Sequence, residues 1–321
     1  MKKFSIPVPG NPFLKFLPVI SLFVFAAFFI PLAGSVFLFG LPMILFVSGT
    51  IHGLIKTATT FLISFSLFLI LAMLLHLNVP AIAVFAIGAA GLFMAITAVK
   101  NYSIEKTIIY PSLFIVLAVC FSFVYDGFLL AANPWQLVQK YIAATIAENV
   151  KLYSQLPLKA EDINYVKDNA KNMIDGFTQI FPSMVIIAAV LIVWMNFLLG
   201  NKLLKRSGII YPEFAALARW KAPDLIIWIF IVSGALFLVP QKDVNFIGLN
   251  IFLVVCFIYL LQGLAIVSFL FQTRNVPAFF RYFFYFLIAV QQILMIPMVA
   301  IGLFDIWIDF RKFFQKDQTT V

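Results

Sequence analysis

The chain is divided into long apolar runs, almost free of charge, that are separated by short polar breaks. Most of these runs approach the roughly 20 residues that a helix needs to cross about 30 Å of hydrocarbon at 1.5 Å per residue. In lipid each segment must satisfy its own backbone hydrogen bonds, which favours helices. The sequence therefore predicts an all-α, polytopic transmembrane helical bundle of about nine spans, with eight as the alternative. The predicted spans are 16–33, 35–54, 57–77, 79–98, 107–131, 180–200, 223–240, 246–271 and 279–304.

The composition supports a membrane protein and excludes two other classes. Hydrophobic residues make up 64% of the chain and charged residues 11%, whereas a soluble domain carries about a quarter charged residues. The net charge of +9 could suggest nucleic acid, but the cations are scattered singly between apolar runs and are not gathered on one face. We therefore expect the lipid bilayer as the main partner, and no nucleic acid.

The distribution of Lys and Arg predicts the orientation of the spans. If the amino terminus is cytoplasmic, thirteen of the 22 cations lie in cytoplasmic segments and only Lys242 lies in a short outer loop. This asymmetry predicts a multi-pass protein of the bacterial plasma (inner) membrane with a cytoplasmic amino terminus. With nine spans the carboxy-terminal cations fall outside, although nearby acids offset them; these residues are Arg311, Lys312, Lys316, Asp305, Asp309 and Asp317.

The spans fall into two groups around a polar insertion. Residues 1–132 are predicted as a first membrane bundle of about five spans, and 179–321 as a second bundle of about four. Residues 133–178 are predicted as an extracytoplasmic amphipathic helical hairpin, because Val138, Ile142, Ile146 and Val150 recur on one helical face. We favour a hairpin that rests on the bundle or the lipid surface over a lid above a substrate path.

Residues 201–224 form a basic loop between two apolar runs, predicted to be cytoplasmic. Within it we predict a short helix, Glu213–Trp220, that follows Pro212. Four residues of the loop are candidates for contact with a protein partner or an anionic headgroup; they are Arg206, Arg219, Trp220 and Lys221. The alternative, which we favour, is an anchor at headgroup level that only fixes the topology.

Polar residues inside the spans are the candidate ligand-binding residues. Asp126 is the only acid predicted within the hydrocarbon, where a carboxylate is costly and therefore a functional candidate. The other candidates are the amides Gln262, Gln291 and Gln292, together with Tyr259 one turn from Gln262. Gln262 and one of the other two amides are expected at similar depth on antiparallel spans. We expect hydrogen bonding between them first and ligand binding second.

Two further patterns have structural explanations. Small residues recur four apart in the fourth span, at Ala86 and Ala90 and again at Gly91 and Ala95. This spacing allows close helix packing, either within the bundle or toward a partner subunit. Asp305 and Asp309 are one turn apart at the last membrane boundary, where pairing with Arg311 accounts for them.

The sequence contains no catalytic motif of the G-x-S-x-G, H-E-x-x-H or P-loop type, and its Cys and His residues lack metal-ligand spacing. We therefore expect no enzyme, no metal and no cofactor.

Two stretches resemble the YybS-like family of uncharacterised bacterial membrane proteins. The first runs from Leu203-Leu204-Lys205-Arg206-Ser207-Gly208 through Pro212 and Phe214 to Arg219-Trp220-Lys221-x-Pro223. The second is Gly302-Leu303-Phe304-Asp305-x-Trp307-x-Asp309-Phe310-Arg311. The resemblance implies the fold and the location but no activity. More remotely, the first four spans, with their tight Pro turns, look like the substrate-binding membrane subunits of vitamin uptake systems.

Two functions fit these observations. The first is a small-molecule-binding or transport-type component that holds a small amphipathic ligand among its helices. The second is a non-transport scaffold or regulatory protein that contacts a membrane protein partner or other proteins through the basic loop. We favour the first, because amides buried in lipid need a reason to be there.

Overall fold

The computed structural model describes residues 12–29, 34–77, 81–155, 160–209 and 214–312. These residues form twelve α-helices and two short 3-10 helices, and they contain no strand. The α-helices are α1 (Pro12–Phe29), α2 (Gly34–His52), α3 (Leu54–Leu74), α4 (Ala81–Val99), α5 (Ile104–Leu129), α6 (Pro134–Tyr153), α7 (Ala160–Asp168), α8 (Ala170–Arg206), α9 (Ile226–Phe237), α10 (Lys242–Thr273), α11 (Ala278–Val290) and α12 (Met295–Ile308). The 3-10 helices are Phe214–Arg219 and Gln292–Leu294.

Six of the described helices are long and apolar enough to cross a membrane, and they are α2, α3, α4, α5, α8 and α10. The count rises to seven if α11 and the segment Gln292–Ile308 form one span, although these two parts are bent by 107°. Two shorter apolar helices, Pro18–Ala27 within α1 and α9, fall below this length. The described residues therefore support a multi-pass helical protein, but not the predicted number of nine spans.

Prolines stand where two of the predicted spans do not form single long helices. The run 279–304 breaks at Gln291, and Pro297 stands in the first turn of α12. The Pro297 ring would clash with the carbonyl of Ile293 if one helix continued through both. The run 223–240 yields only α9, whose twelve residues reach about 18 Å. Pro223 precedes this helix and Pro240 follows it.

The chain divides into two compact units. The first comprises Met1–Thr178 and Met184–Tyr211, and the second comprises Gln179–Ser183 and Pro212–Val321. The first unit has its core among α1 to α4, with side chains of all four helices in one apolar cluster. The cluster includes Ile20, Val24, Leu41, Leu45, Phe61, Phe68 and Val84.

The small residues of α4 pack within the first unit. A Cβ atom at Gly91 would collide with the Pro42 carbonyl of α2, and one at Gly88 would collide with the Phe61 ring of α3. Ala90 and Ala95 are fully buried. The small-residue spacing thus serves packing inside the bundle, which is one of the two alternatives that the sequence left open.

Within the amphipathic stretch the described residues form α6, the short helix α7 and the first turns of α8. Asn133 caps α6, because its side-chain oxygen accepts a hydrogen bond from the Trp135 backbone N–H at 2.8 Å. Val138, Ile142 and Ile146 are buried and Val150 is half-buried, so the predicted apolar face is confirmed over most of its length. The extracytoplasmic location of these helices stays a prediction.

An asparagine side chain bridges the backbone of α2 beside Pro42. The Asn196 oxygen accepts a hydrogen bond from the Met43 N–H at 2.9 Å, and its nitrogen donates to the Phe39 carbonyl at 2.8 Å. An uninterrupted helix would join this N–H to this carbonyl. The buried amide of Asn196 therefore satisfies both groups at the proline.

The same arrangement recurs in the second unit. Asn250 of α10 accepts a hydrogen bond from the Ser183 N–H at 2.9 Å and donates to the Gln179 carbonyl at 2.9 Å. Pro182 stands immediately before Ser183, as Pro42 stands before Met43. Both asparagines also donate to the carbonyl four residues earlier in their own helix. The sequence prediction did not include either bridge.

Candidate functional site

A buried ion pair lies at the end of α12 in the second unit. Asp305 is 1% exposed, and its Oδ2 lies 2.7 Å from Nη1 of Arg311. Its Oδ1 accepts a hydrogen bond from the Phe310 N–H at 3.1 Å. Asp309 adopts a left-handed conformation with φ of 46° where the helix ends. This turn lets the Arg311 side chain return to the helix that precedes it.

The same arginine holds the basic loop. Nε of Arg311 donates to the Ala218 carbonyl at 3.3 Å, and Nη2 donates to the Trp220 carbonyl at 2.7 Å. A guanidinium offers several donors in one plane, so it can bond a carboxylate and two carbonyls together. Arg311 thus joins the two stretches that carried the resemblance to the YybS-like family. We call Asp305, Arg311 and Gln262, with the loop residues they bind, the clamp.

Gln262 of α10 completes the clamp. Its Nε2 donates to Oδ2 of Asp305 at 3.0 Å, and its Oε1 accepts from the Ala222 N–H at 3.1 Å. Tyr259 is also fully buried, and its hydroxyl finds no hydrogen-bond partner among the described residues. Gly302 of α12 lies directly against the Tyr259 carbonyl, which brings α10 and α12 into close contact.

The clamp contacts α10 at a residue far from either end of that helix. Gln262 lies 20 residues after Lys242 and 11 before Thr273, or about 30 Å and about 16 Å along the helix. Every polar atom of the Gln262 and Asp305 side chains has a hydrogen-bond partner. A charge this deeply buried is tolerated when it is paired in this way. The clamp is therefore a structural contact in which every polar atom of these two side chains is engaged.

The predicted pairing of Gln262 with Gln291 or Gln292 is wrong. Both ends of the Gln262 amide bond to Ala222 and Asp305 instead. Gln291 and Gln292 are exposed, because the run that contains them breaks there. Only Tyr259 and Gln262 are brought together among these four candidates.

The candidate contact residues of the basic loop are exposed except for Trp220. Arg206 ends α8, Arg219 ends the 3-10 helix, and both are exposed. Lys221 is exposed and lies 3.8 Å from Asp224, whereas Trp220 is half-buried. The predicted helix Glu213–Trp220 is observed as the 3-10 helix Phe214–Arg219, and Glu213 lies outside the described residues.

The structure tests two expectations for the carboxy-terminal segment. The expected pairing with Arg311 is confirmed for Asp305, which is buried against it, whereas Asp309 binds the exposed Lys312 at 2.9 Å. The hydrogen bond from Lys312 lowers the pKa of the Asp309 carboxyl. The nine-span order separated Arg311 from the basic loop by the membrane, whereas Arg311 bonds directly to that loop.

The first unit contains an apolar cleft of about 550 Å³ between α3, α4 and α5. All of its lining residues are apolar, and they include four aromatic rings, those of Phe65, Phe85, Phe114 and Phe121. Alanines such as Ala86 and Ala118 leave the space between the rings. Sequence analysis did not find this cleft, because it arises from the packing of three helices that look alike in the sequence.

Asp126 lies on α5 beyond the cleft. It is exposed in the last turn of the helix and forms no ion pair with another described residue. The buried acid of the described chain is instead Asp305. No group of three or more His, Cys, Asp or Glu side chains that could hold a metal ion occurs among the described residues.

The comparisons with known proteins identify a family. No curated protein and no solved structure matches the chain. A family model described as "Predicted membrane protein (DUF2232)" matches residues 19–306, which include the cleft, the Asn196 and Asn250 bridges and Asp305. This match covers most of the chain. It does not confirm the resemblance to the YybS-like family or the resemblance to the vitamin uptake subunits. The chain belongs to the DUF2232 family of predicted membrane proteins.

Proposed function

We propose that the chain is a small-molecule-binding, transport-type component of the bacterial plasma membrane, with a cytoplasmic amino terminus. The observation that carries the proposal is the apolar cleft of about 550 Å³ in the first unit. Ligand sites in proteins have volumes of about 300–1,000 Å³ and mostly apolar walls. The cleft is bounded by three candidate spans, so its ligand would be held at the level of the bilayer.

The walls of the cleft favour a molecule with an apolar body. The Phe65 and Phe85 rings are 5.4 Å apart, and both also pack against Phe61. On the α5 side, Phe114 packs against Phe93 at 4.9 Å. Rings that support one another in this way form a wall that is in place before a ligand arrives, which lowers the entropic cost of binding.

The second unit has a supporting role in this proposal. The clamp fixes the basic loop against α10 and α12 through bonds that are all satisfied. Gln262 then acts through packing and not as a ligand contact. We assign no catalytic step and no cofactor to the chain.

Native mass spectrometry of the purified protein tests the proposal. We expect a bound apolar or amphipathic molecule that is lost in Ala118→Phe, because the new ring fills the cleft. Ala235→Phe is the matched control, since Ala235 is exposed on α9 of the second unit. An equal amount of bound molecule in the two variants, or none in the unaltered protein, would contradict the proposal.

The alternative is a scaffold or regulatory protein, which the exposure of Arg219 and Lys221 favours. Replacing both by Gln leaves the Arg311 bonds to the Ala218 and Trp220 carbonyls in place. Under our proposal this variant keeps its membrane abundance and its crosslinked partners. Normal abundance with lost crosslinks would instead support the scaffold.

A further inference from the structure

The ends of α2, α4 and α8 place three cationic segments at one end of the first unit. These segments are 52–56, 100–106 and 202–206, and we call their exposed surface the cationic face. We propose that the cationic face binds the headgroups of anionic phospholipids. None of its residues lines the cleft, so this inference does not rest on the proposed function.

Helices α2 and α8 run parallel in this unit and end at the same level. Their contacts advance in the same direction, from Asn196 with the Phe39 carbonyl to Gly200 with the Phe46 ring. Helix α2 ends six residues after Phe46, and α8 ends six residues after Gly200. The first and third segments of the cationic face therefore lie at the same end of the unit.

Helix α4 ends at this level as well. Its Gly91 lies against Pro42 of α2, and its Ala95 lies against Gly49. Helix α2 continues for three residues beyond Gly49, and α4 continues for four beyond Ala95. One residue then leads from α2 to α3 and four lead from α4 to α5, so both turns stay close to the helix ends.

The charge of the cationic face is strongly positive. Among the described residues of the three segments there are six cations and one acid, a net charge of +5. All seven side chains are exposed; the cations are Lys56, Lys100, Lys106, Lys202, Lys205 and Arg206, and the acid is Glu105. Helix dipoles hardly change this balance, since three carboxy-terminal ends add about −1.5 and two amino-terminal ends add about +1. Groups of about four to eight Lys and Arg beside membrane spans attract anionic lipids.

Two tyrosines indicate that the cationic face lies at the level of the headgroups. Tyr102 and Tyr110 are exposed, and their rings pack edge to face with centroids 6.4 Å apart. Nζ of Lys106 lies 5.7 Å from the centroid of the Tyr102 ring. Tyrosine is enriched at the membrane–water interface, because its ring is apolar and its hydroxyl is polar. Since the short turns hold the cations at this depth, lipid phosphates are favoured over an acidic protein partner.

Native mass spectrometry of the full chain in detergent tests this inference. The two probes are phosphatidylglycerol and phosphatidylcholine with the same dioleoyl chains, added at equal concentration. We expect more bound phosphatidylglycerol than phosphatidylcholine. The excess should fall as the salt concentration rises, because the Debye length shortens from about 10 Å at 0.1 M to about 3 Å at 1 M.

A triple variant, Lys56→Gln with Lys100→Gln and Lys202→Gln, removes one cation from each segment. An exposed charge pair changes a binding constant on the order of twofold, so the triple variant should bind phosphatidylglycerol on the order of tenfold more weakly. Its binding of phosphatidylcholine should not change. Replacing the same three lysines by Arg keeps the charge and should keep the preference.

The matched control removes three exposed lysines of the same unit that lie outside the cationic face. It combines Lys140→Gln, Lys151→Gln and Lys171→Gln, and it should keep the preference for phosphatidylglycerol. Equal binding of the two lipids by the unaltered protein, or equal losses in the two Gln variants, would overturn the inference. Displacement of phosphatidylglycerol by an equal concentration of glycerol phosphate would also overturn it, because the face would then bind a free phosphate. An unchanged lipid preference with lost protein crosslinks in the first Gln variant would overturn it in favour of an acidic protein partner.

Discussion

Arg311 and Asp305 form the most buried ion pair among the described residues, with 2.7 Å between Nη1 and Oδ2. The Asp305 side chain is 1% exposed and that of Arg311 is 12% exposed. Removing one partner of such a pair strongly destabilises the fold, because the other charge is then left buried without a partner. The same pair joins α12 to the basic loop, so its loss should loosen both.

Replacing Arg311 by Leu should lower the free energy of unfolding by about 3–5 kcal/mol. Adding Asp305→Asn to Arg311→Leu should recover part of this loss, since the unpaired charge is removed. The measurement is unfolding in detergent, followed as a double-mutant cycle. Asp309→Asn is the control, because the pair of Asp309 with the exposed Lys312 is screened by solvent and contributes little to stability. Additive effects of Arg311→Leu and Asp305→Asn would contradict a coupled pair.

The Asn250 bridge should depend on Pro182. Asn250→Leu leaves the Ser183 N–H and the Gln179 carbonyl without their amide partner, at a cost of about 1–3 kcal/mol for each group that stays unsatisfied. In a Pro182→Ala background the Ser183 N–H can bond the Gln179 carbonyl within α8. Asn250→Leu should therefore lower the stability less in that background. Unfolding of the two single variants and the double variant measures this coupling. Equal costs in the two backgrounds would show that the bridge does not serve the proline.

Two glycine substitutions should act in opposite directions. Gly302→Ala places a methyl group against the Tyr259 carbonyl, where backbone must shift, so we expect a loss of about 1–3 kcal/mol in stability. Gly176→Ala, inside α8, meets no atom within 4 Å and should gain about 0.5–1 kcal/mol from helix propensity. Thermal unfolding of the two variants compares them. A neutral Gly302→Ala would contradict the close contact of α10 with α12.

Topology reporters should separate the two faces of the membrane. Fusions after Lys56, Lys106 and Ser207 should report the cytoplasm, and a fusion near Lys159 should report the outside. The reason is the excess of thirteen cations to one in the predicted cytoplasmic segments. A cytoplasmic signal near Lys159 would overturn the whole orientation.

The periodicity of the sequence was enough to predict the helical class and the buried face of α6. Gln262 was recognised as a polar residue with an interhelical partner, but the partner was wrong. Hydropathy treats 279–304 as one segment, whereas the helix ends at Val290, a few residues before Pro297, and Gln291 and Gln292 are exposed. The position of Pro297 within the run was the signal that could have found this break.

The clamp and the asparagine bridges depend on contacts between segments far apart in the chain. Arg311 and Trp220 are separated by 91 residues, and Asn196 and Phe39 by 157. No local pattern encodes such pairs. Asn196 and Asn250 each stand inside an apolar run, so each could have been marked as a buried polar group that needs a partner. Their partners, the backbone groups beside prolines, emerge only from the packed structure.

The most direct test of the proposed binding function is the position of a brominated ligand. A crystal of the protein grown with dodecyl glucoside brominated on its chain would give anomalous bromine peaks. Our account predicts a peak in the cleft, in contact with Phe85 and Phe121, that disappears in Ala118→Phe and remains in Ala235→Phe. Bromine found only outside α3, α4 and α5, or unchanged by Ala118→Phe, would contradict it.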